Sequence, residues 1–229
     1  MPTPSNGYYL KDGSKVPGTT TVIGRFKDSG GLIQWAYKQG REHEGLARLG
    51  KEAPRHLYDV TQQAADIGTL GHAMVEAHIH GADPETAVAE QPEEVAQKAR
   101  QSFGAYLNWE RTTNVKILAQ EMQLVSEEYK FGGTPDAIGT IGNELCLLDW
   151  KTSNGIYSDY LIQLAAYRHL WEENHPDQPL TGGFHLCRFA KEHGDFAHHY
   201  YPDLSDGWEA FVHMRALYDI DKRLKQRAR

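Results

Sequence analysis

Cysteine is scarce in this sequence, and long apolar runs are missing. The two cysteines, Cys146 and Cys187, cannot form a disulfide framework or a four-cysteine iron–sulfur cluster, and both lie in apolar runs typical of buried thiols. No apolar stretch approaches the roughly 20 residues needed to span a bilayer. The first residues also lack the apolar segment of a secretory signal. We therefore expect a cytoplasmic protein without membrane contact.

Basic residues are also in deficit. The chain has 24 lysines and arginines against 31 aspartates and glutamates, and its formal net charge is −7. General nucleic-acid binders normally carry a basic surface, so any nucleic-acid contact here must be local. The one concentrated basic run, residues 222–229, is typical of a solvated helix end whose cations stabilise the C-terminal turn.

The first half of the chain is predicted to be mainly helical. A hairpin over residues 8–23 turns at Asp12-Gly13 and returns through the Thr/Val-rich segment 19–23. Apolar residues then recur at helical spacing over about 31–50, 52–80 and 92–113. We divide the chain into a hairpin and helical elaboration, 1–64, and a core with a C-terminal helix, 65–229, which together form one compact unit.

The second half predicts a sheet. Strands are expected over 115–125, on both sides of a turn at Gly142-Asn143 within 134–151, over 183–189 and over 196–201. Helices are expected over about 159–173 and from Ser205 onward. The order helix, three strands, helix, strand predicts an α/β fold in which a mixed sheet is flanked by helices, with a right-handed crossover between the third and fourth strands.

Two aspartates and a lysine stand out within the predicted hairpin. Antiparallel pairing brings Asp136 beside Asp149, and the period of two places Lys151 on the same face as Asp149 while Trp150 points the other way. Adjacent carboxylates repel and lose hydration, so the pair suits a divalent cation. An ammonium group beside such a site is suited to hydrolysis of a phosphodiester. Taken alone, the motif is more typical of a salt-bridged pair on an exposed sheet face.

A second group lies on the predicted helix before this sheet. His72 and Glu76 are one turn apart, and glycines at 68 and 71 would let the helix approach the sheet closely. A neutral imidazole could complete a metal shell and favour manganese over magnesium. His80 falls near the same face, so a zinc site of His72, Glu76 and His80 is an alternative. A histidine buried in the core is another.

Several further residues permit two interpretations each. Gln163 and Tyr167 share a helix face and either support the site or edge the core. Glu121, polar within an apolar strand, either orients the site or faces solvent. Trp35, with Lys38 and Arg41 on or near one helix, either forms an arch that admits a single DNA strand or packs in the helical core.

The histidines of the last predicted turn and strand are interpreted as surface residues; these are His193, His198 and His199.

Four motifs in this order resemble the RecB-type branch of the PD-(D/E)XK nuclease superfamily over about residues 65–190. They are Gly68-Thr69 with His72 and Glu76, Gly133-Thr134-Pro135-Asp136, Asp149-Trp150-Lys151-Thr152, and Gln163 with Tyr167. The Tyr8-Tyr9 hairpin is also similar to the leader of phage and mitochondrial exonucleases of this branch.

The resemblance implies a restriction-endonuclease-like core and a Mg²⁺- or Mn²⁺-dependent deoxyribonuclease. The expected enzyme is an exonuclease acting on DNA ends or single strands, leaving 5′ phosphates, with an unknown recombination or replication partner. Some relatives hold an iron–sulfur cluster with four cysteines, which this chain lacks. A non-catalytic DNA-binding or assembly protein and a zinc hydrolase stay open as alternatives.

The resemblance also implies roles for individual residues. Asp136, Asp149, the main-chain carbonyl of Trp150 and His72 would bind metal, and Lys151 would activate water. The supporting residues would be Glu76, Glu121, Gln163 and Tyr167, and the DNA contacts Trp35, Lys38, Arg41, Thr152 and Ser153.

Overall fold

A computed structural model describes residues 7–27, 38, 41, 57–190 and 194–228, without the side chains of 57–66. The helices are α1 (Thr19–Gly24), α2 (Leu57–Ile79), α3 (Glu93–Thr113), α4 (Ser158–Asn174) and α5 (Ser205–Arg227), with a 3-10 turn at Pro84–Ala87. The strands are β1 (Tyr8–Tyr9), β2 (Lys15–Val16), β3 (Lys116–Gln120), β4 (Leu124–Ser126), β5 (Phe131–Gly133), β6 (Ala137–Ile141), β7 (Glu144–Thr152), β8 (Phe184–Phe189) and β9 (Phe196–Tyr201).

The main sheet is mixed, as predicted. Its five strands lie in the order β3-β6-β7-β8-β9. β6 and β7 form the expected hairpin, in which Gly142 adopts a positive φ of 63° that favours glycine. β7 and β8 are parallel and are connected through α4, whereas the other neighbours are antiparallel. The predicted α/β fold class is therefore confirmed.

Helices cover both faces of this sheet, and β7 shows how the sequence directs them. Because side chains alternate along a strand, Leu147 packs with α1, α4 and α5, while Leu148 and Trp150 pack on the side of α2 and α3. Each buried leucine contributes roughly 1.5–3 kcal/mol of hydrophobic stabilisation. Covered on both sides, β7 is buried from Cys146 to Trp150, so charges in this stretch lie in the interior.

Helix α2 approaches the sheet closely, as its glycines predict. A Cβ atom at Gly68 would lie 2.5 Å from Thr152 Cγ2, and one at Gly71 would lie 2.5 Å from Ser102 Oγ. Real Cβ atoms do not come this near to other heavy atoms. The lack of a side chain at both positions therefore sets how near α2 lies to β7 and α3.

The predicted strand over residues 19–23 is wrong, because Thr19–Gly24 forms helix α1. The β-branched residues favour a strand locally, but packing overrides this preference. Val22 and Ile23 are buried in the core beside α4, and the Thr19 hydroxyl donates a 2.9 Å hydrogen bond to the carbonyl of Gly132. A helical turn presents these three side chains to the same layer.

The predicted strand over 115–125 is also divided. β3 ends at Gln120, which pairs with the first residue of β6, Ala137. Glu121 then takes a left-handed conformation with a φ of 47°, so it does not lie within the strand as expected. The chain continues into β4, which pairs with β5 in a separate two-stranded sheet. The apolar run thus serves two sheets instead of one.

His198, which the sequence suggested is a surface residue, is half-buried on the edge strand β9. Its ring lies 4.9 Å from the Trp109 ring, and its Nε2 is 2.9 Å from Nδ1 of His185. Burial, with help from His185, lowers the pKa of His198 to about 4. His193 lies outside the described residues.

This burial predicts a loss of stability in acid. His198 stays neutral in the folded chain but protonates near pH 6.5 when unfolded, so its contribution is present above pH 6.5 and lost as the pH falls toward about 4. Between neutral pH and pH 4, we expect the melting temperature of His198→Gln to fall by less than that of the wild type. His213→Gln, at an exposed position on α5, serves as the control and should melt like the wild type at every pH. Parallel pH profiles for all three proteins would contradict the prediction.

The helix predicted over 31–50 lies outside the described residues except for Lys38 and Arg41, which are helical. Within the described part of the chain, no helix has both the length and the apolar character required to cross a membrane.

Candidate active site

The two aspartates meet where β6 begins beside β7. The register pairs Ala137 with Leu148, which places Asp136 across from Asp149. Asp136 is held there by its partner strand, because the Trp150 N–H donates a 2.8 Å hydrogen bond to Asp136 Oδ2. Asp136 is 7% exposed and Asp149 is fully buried. The pair is thus an interior feature, which removes the exposed salt bridge as its explanation.

Lys151 neutralises part of this charge. Its Nζ lies 2.5 Å from Asp149 Oδ2, and its side chain is 11% exposed. The ammonium also lies 5.6 Å from the ring centroid of Tyr160, a distance suited to a cation–π contact. Burial lowers the pKa of Lys151, but Asp149 and Asp136 together outweigh it, so the net direction is upward. The lysine therefore stays protonated beside the two carboxylates.

One positive charge does not satisfy two buried carboxylates. Burial first, and then the charge of Asp149, raise the pKa of Asp136 well above its ordinary value. Neither oxygen of Asp149 has a well-aligned hydrogen bond among the described residues, although Oδ2 forms the ion pair with Lys151. Orphaned carboxylate oxygens in a buried site are the donors that a hard divalent cation requires.

His72 lies on the opposite side of β7 from Lys151. Its ring is nearly parallel to those of Phe189 and Trp150, at centroid distances of 6.3 and 6.5 Å. Burial lowers the pKa of His72, which keeps the imidazole in its neutral, metal-binding form at neutral pH. His72 lines a small cavity together with Asp136, Trp150 and Glu121.

The zinc alternative gains no support from this geometry. His72 Nε2 is 3.3 Å from Glu76 Oε1, but His80 is exposed and its Nδ1 contacts the main-chain carbonyl of Glu76 at 2.8 Å. Within the described ranges, no three His, Cys, Asp or Glu side chains are gathered closely enough to hold a metal ion by themselves. A cation at the aspartate pair would therefore need main-chain or solvent oxygens as well.

Gln163 and Tyr167 lie on the face of α4 that covers the site, and they also pack in the core. They are buried, and Gln163 Nε2 donates a 2.8 Å hydrogen bond to the Tyr167 hydroxyl. Burial, followed by the charges of Asp149 and Asp136, raises the pKa of Tyr167 well above its ordinary value. The Tyr167 ring packs on Gly133, where a Cβ would lie 2.6 Å from Cε1.

Two aromatic residues near the site were not predicted from the sequence to be site residues. Tyr160 lies three residues before Gln163 on the same helix, so helical spacing could have placed it there. Tyr8 could not have been found this way, because its hydroxyl contacts the hydroxyl of Thr134 at 2.9 Å across 126 residues of sequence. The N-terminal hairpin is thereby connected to the segment that leads into Asp136.

The other predicted residues are placed as follows. Glu121 is exposed at the edge of the small cavity, and its N–H donates a 3.1 Å hydrogen bond to the main-chain carbonyl of Asp136. Thr152 is half-buried against α2, and the buried Ser153 donates its hydroxyl to the carbonyl of Gly155 at 2.7 Å. Lys38 and Arg41 are exposed. Trp35 lies outside the described residues, as does the proposed arch.

A comparison with protein families gives the family of this chain. The family model of the PD-(D/E)XK nuclease superfamily matches residues 41–216, which include both aspartates, Lys151, Gln163 and Tyr167. This chain belongs to the PD-(D/E)XK nuclease superfamily. Members of the superfamily generally use divalent metals such as Mg²⁺ or Mn²⁺.

The solved structures that are similar to this PD-(D/E)XK chain include two of low sequence identity. One, a protein from Eubacterium rectale provisionally described as an exonuclease, is 14% identical with a TM-score of 0.47. The match covers 66% of this chain and 64% of that protein's chain. The other, named SSO0001, is 16% identical with a TM-score of 0.30, and the match covers 68% and 70% of the two chains. No curated protein matches the chain. The family assignment therefore rests on the family model.

Proposed function

We propose that this chain is a divalent-metal-dependent deoxyribonuclease that acts as an exonuclease on DNA ends or single strands and leaves 5′ phosphates. One observation carries the proposal: Asp136 and Asp149 form a buried carboxylate pair with Lys151 2.5 Å from Asp149, within a chain of the PD-(D/E)XK superfamily. Membership in the RecB-type branch is part of the proposal, supported by His72 on α2 and by the Gln163–Tyr167 pair on α4.

The donor set of the site fits a hard divalent cation. Asp136, Asp149 and the main-chain carbonyl of Trp150 would hold it, with the neutral imidazole of His72 as a further ligand. When bound, Mg²⁺ or Mn²⁺ supplies the positive charge that stabilises an attacking water and the departing 3′ oxygen. The hydrogen bond from the Trp150 N–H is made to Asp136 Oδ2, so it leaves Oδ1 available to bind the cation and fixes the plane of the carboxylate.

Lys151 contributes a second, permanent charge. Because its pKa is raised, the ammonium is protonated at neutral pH and can hold a phosphate oxygen or orient a water molecule by donating hydrogen bonds. The Tyr160 ring beside it limits where the side chain can turn. This geometry supports an electrostatic and positioning role over proton abstraction by Lys151.

Gln163 and Tyr167, the buried pair on α4, lie on the same side of β7 as Lys151. Gln163 occupies the Tyr167 hydroxyl with its own N–H, so the hydroxyl proton is free to be donated toward the aspartates or a substrate phosphate. A buried tyrosine with a raised pKa keeps that proton at neutral pH. Tyr167 therefore acts as a hydrogen-bond donor and not as a base.

The proposed mode of action predicts a sharp difference between linear and circular DNA. We expect end-labelled linear single strands to be degraded with Mg²⁺ or Mn²⁺ and to survive with a chelator, because the carboxylate pair is incomplete without a cation. Circular single strands of the same sequence should stay intact, because an exonuclease requires an end. The measurement is gel analysis of strands labelled at the 5′ or the 3′ end, which also gives the polarity. Degradation of the circle would exclude an obligate exonuclease, and activity with the chelator would exclude metal dependence.

A further inference from the structure

A basic groove lies outside the carboxylate site. It has a volume of about 640 Å³ and runs between the β1–β2 hairpin and α5. Its lining includes the side chains of Lys15, Lys130 and Lys222, all exposed, together with the half-buried Tyr218. We call this feature the lysine groove. It is unexpected in a chain with a net charge of −7.

The three lysines differ from the other cations of this region because they form no close ion pairs, although Lys130 is near enough to Asp12 to help lower the pKa of that carboxyl. Arg25 and Lys225 form ion pairs with Asp221, and Arg215 forms one with Asp219 at 2.8 Å. Among the residues that the structure describes, Lys15, Lys130 and Lys222 have no carboxylate within ion-pair distance. Asp219 also lines the groove but is paired with Arg215, so the three lysine charges stay available to a ligand.

Tyr8 connects the groove to the carboxylate site. Its ring lines the groove, while its hydroxyl contacts Thr134, two residues before Asp136. Lys130 lies six residues before Asp136, a span of at most about 20 Å at the rise of an extended strand. A strand of nucleic acid with one phosphate at Asp136 could therefore place neighbouring phosphates along the lysines.

The aromatic groups at the groove favour a single strand over a duplex. Tyr218 lines the groove beside the guanidinium of Arg215, which lies 5.8 Å from its ring centroid. Tyr9 does not line the groove itself, but it is 47% exposed beside Lys15, which does, and the Lys15 Nζ lies 5.9 Å from the Tyr9 ring centroid. Single-strand binding sites combine a basic groove along the backbone with aromatic rings on which bases stack.

From these observations, we propose that the lysine groove binds the sugar-phosphate backbone of a single DNA strand and guides it to the carboxylate site. The proposal rests on the proposed nuclease function for the identity of its ligand. An acidic chain requires a local contact with nucleic acid. The proposal assigns this contact to Lys15, Lys130 and Lys222, and not to the basic run at the end of α5 as a whole.

The test measures binding without cleavage. The full chain is titrated against a short fluorescein-labelled single strand in a chelator, and anisotropy gives the Kd over a range of salt concentrations. Lys15→Gln, Lys130→Gln and Lys222→Gln are combined in one variant. Lys98→Gln, Arg111→Gln and Lys116→Gln form the control, because these residues lie on α3 and β3 outside the groove and the charge loss is the same.

We expect the groove variant to bind on the order of tenfold more weakly, with a plot of log K against log salt that is shallower by about 2, as three lost contacts to a single strand predict. The control variant should bind like the wild type. Equal weakening of both variants, or unchanged binding by the groove variant, would overturn the proposal. Tighter binding of a duplex, or equal competition by polyglutamate, would overturn the assignment to a single DNA strand.

The groove proposal and the nuclease proposal, if wrong, give different results in the binding and cleavage assays. If the wild type binds DNA through the lysines but cleaves nothing with Mg²⁺ or Mn²⁺, the groove stands and the nuclease proposal falls. If the wild type cleaves DNA and the groove variant binds and cleaves like it, the groove proposal falls alone. Circular dichroism melting of each variant confirms that the comparison is made on folded protein.

Discussion

Asp149→Asn is expected to lower the rate of metal-dependent DNA cleavage by on the order of a thousandfold. The substitution keeps the shape of the side chain but removes the charge of a fully buried carboxylate whose oxygens have no well-aligned hydrogen bond. It also leaves Lys151 with Asp136 as its remaining carboxylate partner at the site. Initial rates on labelled linear single strands with Mg²⁺ or Mn²⁺ give the effect.

Asp177→Asn is the matched control, because Asp177 is exposed in the turn after α4 and the chemical change is identical. This variant should cleave at the wild-type rate. A thermal melt of each protein separates loss of chemistry from loss of folding. Full activity of Asp149→Asn would show that the assigned carboxylate pair is not the reacting site of the enzyme.

The second large effect is expected for Gly71→Ala in α2. An added methyl group would lie 2.5 Å from the buried Ser102 Oγ and 3.4 Å from Phe189 Cδ1. Such overpacking costs about 1–3 kcal/mol, and moving Ser102 would also break its 2.9 Å hydrogen bond to the carbonyl of Ala99. The helix-propensity gain of alanine, up to about 1 kcal/mol, is smaller. We therefore expect Gly71→Ala to lower the free energy of unfolding and to displace His72.

Gly104→Ala makes the same change in the middle of α3, where an added Cβ would meet no atom within 4 Å. It should stabilise the protein by raising the free energy of unfolding by roughly 0.5–1 kcal/mol. Urea unfolding of both variants measures the two effects, and cleavage assays show whether activity falls with Gly71→Ala alone. Equal stabilisation of both variants would contradict the close approach of α2.

The sequence predicted the hairpin that pairs Asp136 with Asp149 because its information is local. Alternating apolar residues, a Gly-Asn turn and a spacing of 13 residues determine the register without help from the rest of the chain. The same holds for Gln163 and Tyr167, whose spacing of four fixes a shared helix face. The order of helices and strands followed from such local patterns, so the fold class could be predicted.

The errors lie where distant packing decides. Thr19–Ile23 favours a strand by composition, but the buried positions beside α4 and the Gly132 carbonyl select a helix. The apolar run over 115–125 contains no signal for the turn at Glu121, which follows from where β6 begins. His198 appeared polar, yet Trp109 and His185 enclose it. Tyr8 reaches the site across 126 residues, a contact that no periodicity encodes.

Trp150 has a consequence beyond its place in the motif. Its main-chain N–H donates to Asp136, while its indole stacks beside His72, and both of these side chains line the same small cavity. A single residue therefore contacts two potential ligands, one through its main chain and the other through its side chain. Repacking of the apolar neighbours of the indole, such as Tyr106, would shift the relative position of these ligands without altering any charge. The relative position of Asp136 and His72 thus depends on packing in the hydrophobic interior as well as on charge.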